Sequence, residues 1–154
     1  RNYRGELIGD IFVKSKDNLK GIICPKKFNS SAIDEFLIIF LVAARAKGNS
    51  YFTNISELNM KESPRLKIAS KILNMMNVKN NLTNSSIKIF GNPDLKVSKP
   101  IEIKNFKKDH RIFMMSAIAA LTFGGKWKIN DPISIKTSFP SFLKKLKTLG
   151  AKFQ

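Results

Sequence analysis

One cysteine, one histidine and one tryptophan are all that 154 residues contain of those types, and only 11 side chains are acidic. A lone Cys24 forms no internal disulfide, and its segment reads as strand, so the expected setting is reducing and cytoplasmic. Metal-ligand spacing, a Gly-rich phosphate loop and a dinucleotide fingerprint are all missing, so no metal and no cofactor is implied. Long hydrophobic runs are missing too. The longest, Phe36–Ala44, ends at Arg45 and is too short to span a bilayer, so no membrane partner is expected. The opening stretch Arg1–Asp10 lacks the apolar core of a signal peptide. The first residue is Arg and not Met, which points to a piece of a longer polypeptide.

What is present is ordinary for a globular chain with a real core: 43% apolar and 25% charged residues. The net charge of +17 is not ordinary. It invites a nucleic-acid reading. The lysines, however, are scattered over every segment, without an Arg-rich tract or interleaved aromatics. A Lys-, Asn- and Ile-heavy composition that leaves a solvated basic surface accounts for the charge, and no nucleic-acid partner is expected. Anionic small molecules suit either reading.

Along the chain, Gly5–Lys14 and Lys20–Pro25 read as strands. Asp34–Lys47 reads as a helix stopped by Gly48 and apolar on nearly every face, hence buried all round. Ser50–Ile55 follows as a strand. The next helix runs from Pro64 to about Asn77, with Ser63 as its N-cap. Strands at Lys79–Thr83 and Ser86–Phe90 precede a loop at Gly91–Pro100. Then come a strand at Ile101–Lys104, an apolar helix at Arg111–Phe123 stopped by Gly124, and a strand at Trp127–Ile129. An amphipathic helix at Ser141–Leu149 leads to the start of a strand at Ala151–Gln154.

Three pairs of residues, Asp34 with His110, Gly48 with Gly124 and Pro64 with Pro140, share one common offset. The pattern predicts an internal duplication of a βαβαββ unit, about residues 20–91 and 100–154. Buried helices among amphipathic strands place the sheets outside and the helices within, the reverse of the usual α/β layering.

Several segments fall in an order that resembles a known family: AIDEF at Ala32–Phe36, MKESPRL at Met60–Leu66, DHRIFM at Asp109–Met114 and the closing stretch Thr137–Phe153. With LKGI at Leu19–Ile22, they resemble the C-terminal half of EPSP synthases across essentially the whole chain. The resemblance implies an α/β fold, the inside-out α/β barrel of enolpyruvyl transferases. Residues 1–154 would form about two βαβαββ units of one domain. The N-terminal domain of the same enzyme would be absent, and the complete enzyme a monomer. Three departures stand out. Pro64 replaces a usual Asp, Leu37 replaces a usual Pro, and Thr137 stands where some members carry a substrate-binding Lys, so no ligand contact is assigned there.

The reaction implied adds the 5-hydroxyl of shikimate 3-phosphate to C2 of phosphoenolpyruvate and then eliminates phosphate. It needs a base at the hydroxyl, an acid/base at C3, and cations for two phosphates and a carboxylate. Asp34 resembles the base, although a carboxylate at a helix start is also simply stabilised by the helix dipole. Glu35 is expected to point to another face. Glu62 resembles the group that protonates and deprotonates C3, and Lys61 a contact to the shikimate phosphate; outside this motif the pair reads as a cap and a solvated Lys. Arg65 and Arg111 resemble a clamp on phosphoenolpyruvate, a task a guanidinium fork suits. His110, the only His, reads as a hydrogen-bonded residue that orients Arg111 at least as readily as a direct proton-transfer group, and is expected to line the site. Independently of family, Asp34, Arg65 and Arg111 each fall in the first turn of an expected helix, where free N–H groups favour anions.

Two alternatives stand beside this reading. The first is a UDP-N-acetylglucosamine enolpyruvyl transferase, which shares architecture and donor. The second is a basic nucleic-acid-binding module.

Overall fold

The computed structural model describes residues 2–15 and 17–153. The chain begins with a two-rung hairpin, β1 (Asn2–Tyr3) against β2 (Glu6–Leu7). The strand expected over Gly5–Lys14 reduces to β2. Residues 8–15 form no strand, and Ile11, Phe12 and Val13 are exposed.

The first helix, α1 (Phe36–Arg45), starts two residues later than expected, since residues 31–35 are a turn. Its Phe36 and Phe40 stack at 5.9 Å, and Phe52 meets Phe40 edge-on at 5.0 Å. Phe52 closes β3 (Gly48–Phe52), which begins at Gly48 rather than at Ser50. The strand starts that early because Gly48 pairs with Gly91 of the neighbouring strand, while just before it Lys47 donates to Leu19 and accepts from Gly21. The stretch expected as a strand at Lys20–Pro25 therefore runs parallel to β3, but only through isolated bridges at Lys20–Lys47 and Ile23–Tyr51.

Next come α2 (Arg65–Met75), then β4 (Asn80–Leu82) and β5 (Ile87–Gly91). The sheet order is β3-β5-β4, all antiparallel. Gly91 sits directly under the C-terminal end of α1, where a Cβ would run into the carbonyl oxygens of Ala43 and Ala46. Beyond the loop come β6 (Ile101–Ile103), α3 (His110–Phe123), β7 (Trp127–Ile129) and α4 (Phe142–Thr148). Strands β6 and β7 pair in parallel across α3, just as the stretch 19–24 pairs with β3 across α1. Gly124, with φ 75°, ends α3 as expected. Residues 151–153 are not strand, and Gln154 lies outside the described residues.

Helices α1, α2 and α3 touch one another, while α1 also packs on β5, α2 on β4 and α3 on β7. Helices thus lie inward of the sheets. Burial of α1 and α3 is not complete on every side, because Val42 and Leu121 are each nearly half exposed. No helix among the described residues is long and apolar enough to cross a membrane.

Candidate active site

The starts of α1, α2 and α3 meet at one place, and each brings charge. Asp34 lies in the turn just before α1, Arg65 is the first residue of α2, and Arg111 is the second residue of α3. Only Asp34 departs from its expected position, by standing ahead of the first turn.

Arg65 is the centre of the arrangement. Its side chain is 2% exposed, yet it carries a full charge and meets three carboxylates. Nε donates to Oδ2 of Asp109 at 2.9 Å, one terminal nitrogen to Oδ1 of Asp34 at 3.0 Å, and the other to Glu62. Arg111 reaches the same carboxylate from α3. It donates to the backbone oxygen of Asp34 at 2.7 Å and lies 3.4 Å from Oδ2 of Asp34. Glu35, expected to face elsewhere, also receives Arg111, at 3.3 Å.

Asp109 is fully buried. It accepts from Ser63 Oγ at 2.8 Å, from Arg65, and through Oδ1 from the backbone N–H of Arg111 at 2.9 Å. Burial works against its ionisation and is the largest single influence. The bonds from Arg65 and Ser63, the Arg65 charge and the Arg111 N–H together outweigh it and hold the carboxyl below its usual range. For Arg65, burial likewise opposes the charge, but Asp109 foremost, then Glu62 and Asp34, raise its proton affinity above the ordinary value.

The structure thus brings Asp34, Glu62, Arg65 and Arg111 together. Lys61 stands beside them but pairs with Glu57 at 2.8 Å rather than with Glu62. His110 opens α3 half-buried, and its side chain forms no hydrogen bond among the described residues. Asp109, not His110, ties the start of α3 in place. Ser63 is likewise not the cap of α2; its hydroxyl is spent on Asp109, and Pro64 occupies the cap position. The sequence reading missed Asp109 and Ser63 as parts of the site. Asp directly before an apolar helix is a cap signal, but nothing in the sequence indicates that its second oxygen turns to Arg65.

The outer side of the cluster is open: Asp34 and Glu62 are 45% and 53% exposed. Four carboxylates (Asp34, Glu35, Glu62 and Asp109) surround two guanidinium groups. Such an arrangement offers exchangeable bases on the outside and fixed cations behind them, suited to proton transfer next to a bound anion.

A family model described as EPSP synthase (3-phosphoshikimate 1-carboxyvinyltransferase) matches residues 15–146. The chain belongs to the EPSP synthase family. Among curated relatives named 3-phosphoshikimate 1-carboxyvinyltransferase, the one from Ruthia magnifica subsp. Calyptogena magnifica is 39% identical over 150 residues, which is 97% of this chain and 34% of the relative. The one from Vesicomyosocius okutanii subsp. Calyptogena okutanii is 38% identical, covering 95% and 33%. The chain therefore spans about a third of the length of the curated EPSP synthases it matches. The solved structure of an Acinetobacter baumannii EPSP synthase superimposes with a TM-score of 0.75 at 32% identity, over 85% of this chain and 30% of that one. The enolpyruvyl transferase NikO from Streptomyces tendae has the same fold, with a TM-score of 0.64 at 14% identity, over 90% of this chain and 30% of its own. The α/β fold with inward helices is that of the enolpyruvyl transferases, present here in part.

Proposed function

We propose that this chain is the C-terminal part of an enzyme that transfers the enolpyruvyl group of phosphoenolpyruvate to the 5-hydroxyl of shikimate 3-phosphate. The observation that carries this reading is the meeting of Asp34, Glu62, Arg65 and Arg111 at three helix starts. Family membership supports it. Asp34 takes the proton of the 5-hydroxyl as its oxygen bonds to C2, while protonated Glu62 gives its proton to C3. In the second half, C3 returns a proton to Glu62 and its C–H electrons re-form the C2–C3 double bond as the C2–O bond to phosphate breaks, and phosphate leaves with the proton that Asp34 had taken. Arg65 and Arg111 hold the donor's anionic groups, Lys61 holds the shikimate phosphate on release from Glu57, and His110 lines the site.

The duplicated unit at about 20–91 and 100–154 belongs to the same proposal, supported by the parallel crossover seen twice. So do the N-terminal domain as the missing partner, a monomeric complete enzyme, a cytoplasmic setting, and the absence of nucleic-acid or membrane partners. The names of the matching relatives favour the shikimate acceptor over a nucleotide sugar.

The test is phosphate release on mixing the chain with the separately produced N-terminal two-thirds of a matching relative. Release that requires both shikimate 3-phosphate and phosphoenolpyruvate is expected, with negligible turnover from the chain alone. Robust turnover by the chain alone overturns the partial-site reading. Release that needs UDP-N-acetylglucosamine in place of shikimate 3-phosphate overturns the acceptor.

A further inference from the structure

Arg65 has an inner and an outer edge, and the two are held differently. Its Nε faces Asp109, which is fully buried and tied by two further bonds to Ser63 and to the Arg111 N–H. Its two terminal nitrogens face Asp34 and Glu62, both about half exposed. A carboxylate with three bonds and no water contact exchanges slowly, whereas solvent-facing pairs are weak and readily replaced. We propose that Asp109 is a positioning residue: it fixes the inner edge of Arg65 and the start of α3, so that an incoming carboxylate or phosphate displaces Glu62 and Asp34 from the outer edge. This rests on the proposed function and deepens it, because the displaced carboxylates are the two assigned to proton transfer. The anion that binds thereby frees its own catalytic groups. One carboxylate also sets the spacing of both arginines, since Asp109 binds Arg65 through Oδ2 and the backbone of Arg111 through Oδ1.

The experiment uses the complete polypeptide that carries this chain, as wild type, Asp109→Asn and Ser63→Ala. Asn keeps the shape and the cap acceptor but loses the charge, and thermal unfolding checks that each variant is folded. For Asp109→Asn the KM for phosphoenolpyruvate is expected to rise about tenfold or more, with the KM for shikimate 3-phosphate changing much less. Ser63→Ala, which removes one neutral bond from Asp109, shifts the same constant in the same direction by a smaller factor. A merely structural role would lower the amount of active enzyme without dividing the two KM values. In parallel, the Nε–H signal of Arg65 is followed by NMR during titration with phosphoenolpyruvate and with inorganic phosphate. In wild type it stays slow to exchange throughout while the Asp34 and Glu62 carboxyl signals move; in Asp109→Asn it exchanges rapidly. Unchanged KM for phosphoenolpyruvate and unchanged exchange in a folded Asp109→Asn overturn the positioning role while leaving the function intact. Absence of transfer in wild type with the anion-dependent NMR response preserved overturns the function and keeps the positioning role. Absence of both overturns both.

Discussion

Replacing Arg65 with Leu strips the charge from a side chain that is 2% exposed and leaves Asp109 buried without its main partner. The three ion pairs lost are unequal. Those with Asp34 and Glu62 end on half-exposed carboxylates, and screening by water holds each to less than about 1 kcal/mol. The pair with Asp109 lies wholly inside, and breaking a buried pair from one side destabilises by about 3–5 kcal/mol, most of it from the stranded charge. The expected loss at neutral pH is therefore about 3–5 kcal/mol, dominated by Asp109. Its pH dependence has a definite sign. In wild type the Asp109 carboxyl is depressed, so its contribution is present above the usual carboxylate range and is lost only as pH falls through the depressed value. In Arg65→Leu, burial dominates and the carboxyl moves up, so acidification relieves the strain by protonating it. The gap between wild type and variant should shrink as pH falls from neutral through the raised carboxyl's titration towards the ordinary carboxylate range. Urea unfolding at several pH values, followed by Trp127 fluorescence and circular dichroism, measures this gap. A loss below about 1 kcal/mol at neutral pH, or a gap independent of pH, refutes the argument that the buried Asp109 pair holds the helix starts together.

Under the proposed function, Arg111→Lys in the complete polypeptide is expected to weaken phosphoenolpyruvate binding by about tenfold, because an ammonium cannot present a guanidinium's forked donors to the anion, while stability changes by less than about 1 kcal/mol; calorimetric titration and thermal unfolding read the two effects. Gly91→Ala forces a methyl group against the carbonyl oxygens that end α1, which destabilises by about 1–3 kcal/mol in urea unfolding. Phe40→Ala empties the centre of the Phe36–Phe40–Phe52 cluster and lowers unfolding free energy by about 3–5 kcal/mol.

Much of this fold was legible because helices carry their signals locally. The apolar run of α1, the Gly124 stop of α3 and the lysine-faced α4 all stand within a few residues of where the sequence placed them. Strands were read less well, and for a physical reason. Whether Gly5–Lys14 or Lys20–Pro25 becomes a strand depends on a neighbour's hydrogen bonds, which no local pattern records. The early start of β3 at Gly48 shows the same thing, since it follows from Gly48 pairing with Gly91 of β5. At the site, the residue types that bear charge could be picked from motifs, and the structure does bring Asp34, Arg65 and Arg111 into contact. Pairing was another matter. Lys61 turned to Glu57, Glu35 to Arg111, and Ser63 away from its own helix to Asp109. The last two are set by which helix starts lie within reach, a matter of tertiary packing, whereas Lys61 and Glu57 stand four residues apart and pair locally.

The ties at Arg65 and Arg111 span 31, 44 and 77 positions of the chain. A half-made molecule on the ribosome, lacking α3, has Arg65 but not Arg111, and so cannot form the two-arginine cluster. By the same token, loosening the helices against one another would abolish recognition while far-ultraviolet spectra hardly changed. Any anion that grips both arginines joins remote stretches of chain and so acts as a folding ligand. At a hundred times its dissociation constant such a ligand would add about 2.7 kcal/mol to the native state, so binding at the two arginines would also guard the packing of the three helices.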